Sequence, residues 1–148
     1  GLRNFTDAVS DYPDNYPADA GPISTKSPII VIKNGQPVLA IGGAGSERIV
    51  FNVGLALARF LQKPDEPEQL VSRPRYFLDH KRRLSVEWHP DMSFIDELSE
   101  STLEVSIKPG CDDYFGLLSA IIVEGAQFTA LADPRRDGSC AACSEVSP

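Results

Sequence analysis

From Pro28 onward the chain switches between two hydrophobic periods. "IIVIKNGQPVLAIG" sets two β-branched runs around Asn34-Gly35, a dipeptide that accepts the positive φ of a two-residue hairpin turn. Both runs are nearly continuous, which predicts that at least one strand is central and covered on both faces. Gly42, Gly43 and Gly45 follow, and "SERIVFNVGLALARFLQ" (Ser46 to Gln62) then takes up the helical period. Its polar residues Arg48, Asn52, Arg59 and Gln62 form one narrow stripe. Ile49, Val50, Phe51, Val53, Leu55, Leu57, Phe60 and Leu61 cover the rest, so a helix sandwiched in a large core is expected, ended by Pro64. "EPEQLVSRP" predicts one or two helical turns stopped at Pro74. "RLSVEW" reads as a short strand, "HPDMSFIDELSE" as a helix starting at Pro90-Asp91, and "TLEVSIK" as an alternating strand. "FGLLSAIIVEGAQFTALADP" is a second hairpin around Glu124-Gly125, and a small, polar tail follows Asp137.

Residues 1–27 are of another kind. Asp7, Asp11, Asp14 and Asp19 are interspersed with prolines, which predicts an irregular acidic arm ahead of the regular unit at 28–148. Hairpin, helices, strands and hairpin together indicate an α+β layered architecture. A helix this apolar asks for more cover than one small domain provides, so another chain or segment is expected to complete the core.

Composition narrows the function. At 148 residues the chain is one ordinary domain, and its net charge of −7 argues against nucleic acid or an anionic membrane as the main partner. The local basic group Arg73, Arg75, His80, Lys81, Arg82 and Arg83 reads as a solvated loop or strand edge. No apolar run is long enough to span a membrane, and no basic-then-apolar leader opens the chain. Asn4-Phe5-Thr6 is an N-glycosylation sequon, a pointer to secretion. Cys111, Cys140 and Cys143 lack the companions of a zinc site, and no metal or cofactor is called for; free thiols or a local disulfide both remain open.

The glycine cluster is the strongest chemical feature. "GGAGSER" lacks the Gly-Lys-Ser/Thr of a phosphate-binding loop, and its strand closes a hairpin rather than opening a βαβ unit. Backbone N–H groups at a helix start still suit a carboxylate or an oxyanion. No G-x-S-x-G elbow is present. Cys111 is followed by Asp112 and Asp113, which would raise its pKa rather than activate it. His80 and His89 have no spaced partner, and Asp133 reads as a turn residue ahead of Pro134.

Four stretches, in order, carry a resemblance: "PISTKSP" before a hydrophobic strand, "IGGAGSERI" opening a helix, "RPRYFLDHKRRLSVE" and "TALADPRRDGSCAA". Together they resemble the C-terminal part of the small subunit of the γ-glutamyltransferase (glutathione hydrolase) family, from about Pro22 to Ala142. The resemblance implies an αββα sandwich of the N-terminal-nucleophile hydrolase type, incomplete in this chain. It also implies a precursor cut into two subunits. The new N-terminal threonine, expected ahead of Gly1, would attack the γ-glutamyl amide of glutathione with its own amine as base. By the same resemblance Ser24 and Thr25 hold the substrate α-carboxylate, and the N–H groups of Gly45 and Ser46 form the oxyanion hole. Asn4 and Asp7 match parts of the amine-binding stretch. Ser46 replaces a family glycine, and Ala8 or Val9 falls where an amine-binding aspartate is usual. The implied partners are a companion large subunit or upstream segment and a γ-glutamyl small molecule. The implied location is extracellular or at the membrane surface. A non-catalytic relative using the same fold as a binding or structural subunit is the alternative.

Overall fold

The computed structural model describes residues 24–63, 66–67, 69–92, 95 and 102–141. Strands β1 (Ile29–Lys33) and β2 (Gln36–Ala44) form the first hairpin; Asn34 and Gly35 turn it at φ 52° and 78°. Helix α1 (Arg48–Gln62) and a single turn, α2 (Gln69–Ser72), follow. Next come β3 (Tyr76–Leu78), β4 (Arg83–Glu87), β5 (Glu104–Lys108), β6 (Leu117–Glu124) and β7 (Gln127–Ala132). Short 3-10 turns at Asp113–Phe115 and Pro134–Arg136 flank the second hairpin.

The main sheet runs β1-β2-β6-β7, antiparallel throughout. Alternation along its strands sends Leu39, Ile41, Leu118, Ala120 and Ile122 to one face, where they bury against Ile49, Val53 and Ala56 of α1 and Leu70 and Val71 of α2. The opposite face carries a row that includes Ile30, Ala40, Ile121 and Ala130, in register across all four strands. On that side Ile30 is 66% exposed and Ile32 58%, while Phe128 on the edge strand β7 is 71% exposed. β2 is central as its composition predicts, but the described residues cover only one of its faces.

The second sheet runs β3-β4-β5, with β4 and β5 parallel. β3 was not foreseen: three residues between Pro74 and Asp79 are too few to show a period, and pairing with β4 defines them. Phe77 is buried there, edge-on to Phe51 of α1 at 6.0 Å. Of the predicted helix 89–100, residues 93–94 and 96–100 lie outside the described residues, as do residues 1–23 of the arm 1–27.

Helix α1 corrects two expectations. It starts at Arg48 rather than Ser46, because Ser46 sits at φ 59° and cannot belong to a right-handed helix. It is also buried along one face only: Val50 and Leu61 are exposed, whereas Asn52, expected in the polar stripe, is 2% exposed. Asn52 tolerates burial because its amide nitrogen donates to the Phe115 carbonyl at 2.6 Å.

Candidate active site

Ser24, Thr25, Gly45 and Ser46 lie on two segments that meet the same end of the main sheet. In the antiparallel β1–β2 register Ile29 pairs with Ile41 and Ile30 with Ala40, so the segment entering β1 and the segment leaving β2 share an end. The first carries Ser24 and Thr25, the second Gly45 and Ser46. Ala44 pairs with Leu117 at the start of β6, and Ala132 at the end of β7 pairs with Ser119. Gly116 and Asp133 therefore reach the same edge.

Within the glycine cluster the chain leaves β2 through Gly45 at φ 142° and Ser46 at φ 59°. Arg48 N–H donates to the Gly45 carbonyl at 3.3 Å and Ile49 N–H to the Ser46 carbonyl at 3.1 Å, which starts α1. The N–H groups of Gly45 and Ser46 themselves donate to no described residue. Two donors with no partner among the described residues thus stand beside the N-terminus of a 15-residue helix, where the helix dipole favours negative charge. Ser46 takes the left-handed conformation despite its Cβ, at a cost of roughly 1–2 kcal/mol.

The glycines themselves answer first to packing. A Cβ at Gly43 would lie 2.7 Å from the Leu117 carbonyl, and one at Gly45 would lie 2.9 Å from Gly116 Cα. A larger residue at Gly45 would therefore disturb the fold as well as the approach of a ligand.

Ser24 is exposed and Thr25 half-buried. The Ser24 hydroxyl accepts from Lys26 N–H at 3.3 Å, and its own hydrogen has no acceptor among the described residues. Asn4 and Asp7 lie outside the described residues.

Behind this edge lies an ion network that sequence reasoning missed. Arg75 pairs with Asp133, Arg135 pairs with Asp133 at 3.0 Å and with Glu87 at 2.5 Å, and these side chains are at most 3% exposed. Two cations face two anions, so the buried set is neutral. Burial, then the charge of Arg135, pushes the Arg75 pKa down, against Asp133 and Glu87. Burial also opposes the Arg135 charge, but its bonds and attraction to Glu87 and Asp133 hold its pKa above the ordinary value. Asp133 does cap the 134–136 turn, by accepting from Arg135 N–H at 3.0 Å, and it also accepts from Leu118 N–H at 2.8 Å. Arg75 corrects the reading of 73–83 as a solvated basic stretch. His80, Lys81, Arg82 and Arg83 are exposed, but Arg75 is a core residue, which charge counting along the chain cannot separate from its neighbours. The available signal was Asp133-Pro134, an N-cap residue ahead of a proline.

A cavity of about 1170 Å³ lies against β3 and β4. Arg75, Glu87 and Arg135 contribute to its wall with Trp88 and Tyr76, whereas Ser24, Thr25, Gly45 and Ser46 do not. Cys111 and Cys140 are unpaired and exposed, and Cys143 is outside the described residues. Among the described residues no group of three metal-binding side chains occurs.

A family model described as Gamma-glutamyltranspeptidase matches residues 3–143. The chain belongs to that family. It is 32% identical over 118 residues to Scoloptoxin SSD14 of Scolopendra dehaani, a match that covers 78% of this chain and 20% of the toxin. The γ-glutamyltranspeptidase of Pseudomonas nitroreducens, solved with L-DON, superposes at a TM-score of 0.74 with 21% identity, over 86% of this chain and 66% of that one. The T380A mutant of the Helicobacter pylori γ-glutamyltranspeptidase gives 0.69 and 26% identity, over 80% and 65%. The fold is accordingly the α+β arrangement of the N-terminal-nucleophile hydrolases. The chain spans a fifth of SSD14 and about two thirds of these solved chains.

Proposed function

We propose that this chain is the C-terminal part of the small subunit of a γ-glutamyltransferase or glutathione hydrolase. The enzyme cleaves γ-glutamyl amides through an N-terminal threonine carried outside this chain. The observation that carries the reading is the pair of N–H groups at Gly45 and Ser46 with no partner among the described residues, on the sheet end that the segment carrying Ser24 and Thr25 also meets. A tetrahedral intermediate formed by threonine attack places negative charge on the former carbonyl oxygen, and two backbone donors stabilise it without reorganising. The Ser24 and Thr25 hydroxyls donate to the γ-glutamyl α-carboxylate, and the family resemblance assigns Asn4 and Asp7 to its amine. Water or an amino acid then accepts the glutamyl group.

The partner is a companion large subunit or upstream segment of the same precursor. The exposed apolar sheet face with Ile30, Ile32 and Ile121 supports this, because an αββα sandwich needs a second sheet on that side. The sequon at Asn4 and the family membership support a glycosylated protein that is extracellular or at the membrane surface. No helix among the described residues is long and apolar enough to cross a membrane.

One observation favours the non-catalytic alternative: the strained serine at position 46 is followed by Glu47, an acid beside a site for negative charge. Hydrolysis of a chromogenic γ-glutamyl amide by the protein with its companion decides between the two. Activity is expected, and Ser24→Ala should weaken substrate binding by about 1–2 kcal/mol, a hydrogen bond to a charged group. No hydrolysis above background by the fully processed protein would refute the enzymatic reading.

A further inference from the structure

The Phe115-Gly116 turn is held from several sides. Asn52 Nδ2 donates to the Phe115 carbonyl at 2.6 Å, and Arg75 Nη1 donates to the Gly116 carbonyl at 3.2 Å. The Asp112 carboxylate caps the turn by accepting from Tyr114 N–H at 2.8 Å, and Asp112 N–H donates to Glu87 Oε1 at 3.2 Å. The turn in turn presses backbone on backbone against the end of β2. A Cβ at Gly116, whose φ is 70°, would stand 2.2 Å from the Ala44 carbonyl and 2.9 Å from Gly45 Cα.

These contacts close a ring. Gly45 and Ser46 lead into α1, α1 carries Asn52 one turn in, Asn52 grips Phe115, and Gly116 returns to Gly45. Asn52 makes this grip although its buried Oδ1 has no partner among the described residues. A buried acceptor left unpaired is a desolvation cost that an apolar residue of similar volume would avoid. The amide is therefore poorly explained by stability alone.

We propose that Asn52 is a positioning residue: it clamps the 115–116 turn against Gly45 and so fixes where the Gly45 and Ser46 N–H groups point. The catalytic consequence rests on the oxyanion-hole reading of those groups; the clamp itself does not.

The test uses the whole protein with its companion, comparing wild type with Asn52→Leu, which keeps the branched side-chain shape and removes the donor. Amide exchange is followed by mass spectrometry on peptides covering 42–50 and 112–118, with the 121–128 hairpin tip as internal reference. Exchange in both segments should rise by roughly 10-fold or more while the reference stays unchanged. With a γ-glutamyl amide, kcat should fall about 10-fold or more with KM within about twofold, because an oxyanion donor acts in the transition state alone. Unchanged exchange in the two segments, or the same acceleration in the reference, overturns the clamp. A KM rise with unchanged kcat overturns its catalytic role. Should Asn52→Leu fail to fold, Asn52→Ser carries the same comparison, since a water can then reach the Phe115 carbonyl. If the wild-type protein hydrolyses nothing, the enzymatic reading fails, and the exchange result alone decides the clamp.

Discussion

Replacing Asp133 by asparagine tests whether the buried ion network holds the end of the sheet together. Asp133 is 1% exposed and its two oxygens receive four bonds: from Leu118 N–H, Arg75, Arg135 N–H and the Arg135 guanidinium. Asparagine retains one acceptor and turns an NH2 group toward donors on the other side. The buried set of Arg75, Arg135, Glu87 and residue 133 changes from neutral to one net positive charge. Removing one partner of a buried ion pair costs about 3–5 kcal/mol, because the remaining charge stays desolvated. A whole domain is stable by only about 5–15 kcal/mol. At about 2–4 °C per kcal/mol for a domain of this size, the thermal midpoint should fall by about 6–20 °C. Scanning fluorimetry of the processed protein, wild type against Asp133→Asn, reads this directly. Adding Arg75→Met to the variant removes the excess charge and should cost less than the sum of the two single changes. A shift under about 2 °C, or strict additivity of the pair, would refute the assignment of this network as a neutral, mutually dependent unit.

Two other outcomes are expected. Because Ser46 already holds the left-handed conformation that glycine would take, Ser46→Gly should change kcat for a γ-glutamyl amide by less than about threefold; a rise of 10-fold or more would mean that serine misdirects the donor. Asp79 accepts from the Arg83 and Lys81 N–H groups at 2.9 and 2.8 Å and from the Arg83 side chain, and the Arg83 N–H is the largest cause of its lowered pKa. A carboxyl whose folded pKa lies below its unfolded value stabilises above the unfolded pKa and loses that contribution as pH falls through the folded one. The gap in thermal midpoint between wild type and Asp79→Asn should therefore hold from neutral pH down to about pH 4 and close below it; a constant gap down to about pH 2 would contradict this.

Local chemistry by itself determined a good part of this protein. Asn34-Gly35 set the first hairpin as expected, and the second turns at Gly125-Ala126, one residue beyond the expected Glu124-Gly125, because Glu124 still pairs with Gln127 and Gly125 takes the positive φ; a two-residue turn depends on its own dihedrals and the flanking alternation. The long helix after the glycines was legible from its period, and the family from four motifs in order. What tertiary structure decided is which polar residues go inside. Asn52 looked like part of a solvated stripe and Arg75 like part of a basic patch, yet both are buried, because their partners lie 63 and 58 residues away at Phe115 and Asp133. A residue's pattern along the chain reports its face, not the donor or acceptor that a distant segment brings to it. The glycines show the same division. Their presence announces a close backbone approach, but only the packed sheet reveals that Gly45 is approached first by Gly116. The approach is set where β2, α1 and β6 meet, and no single segment contains all three.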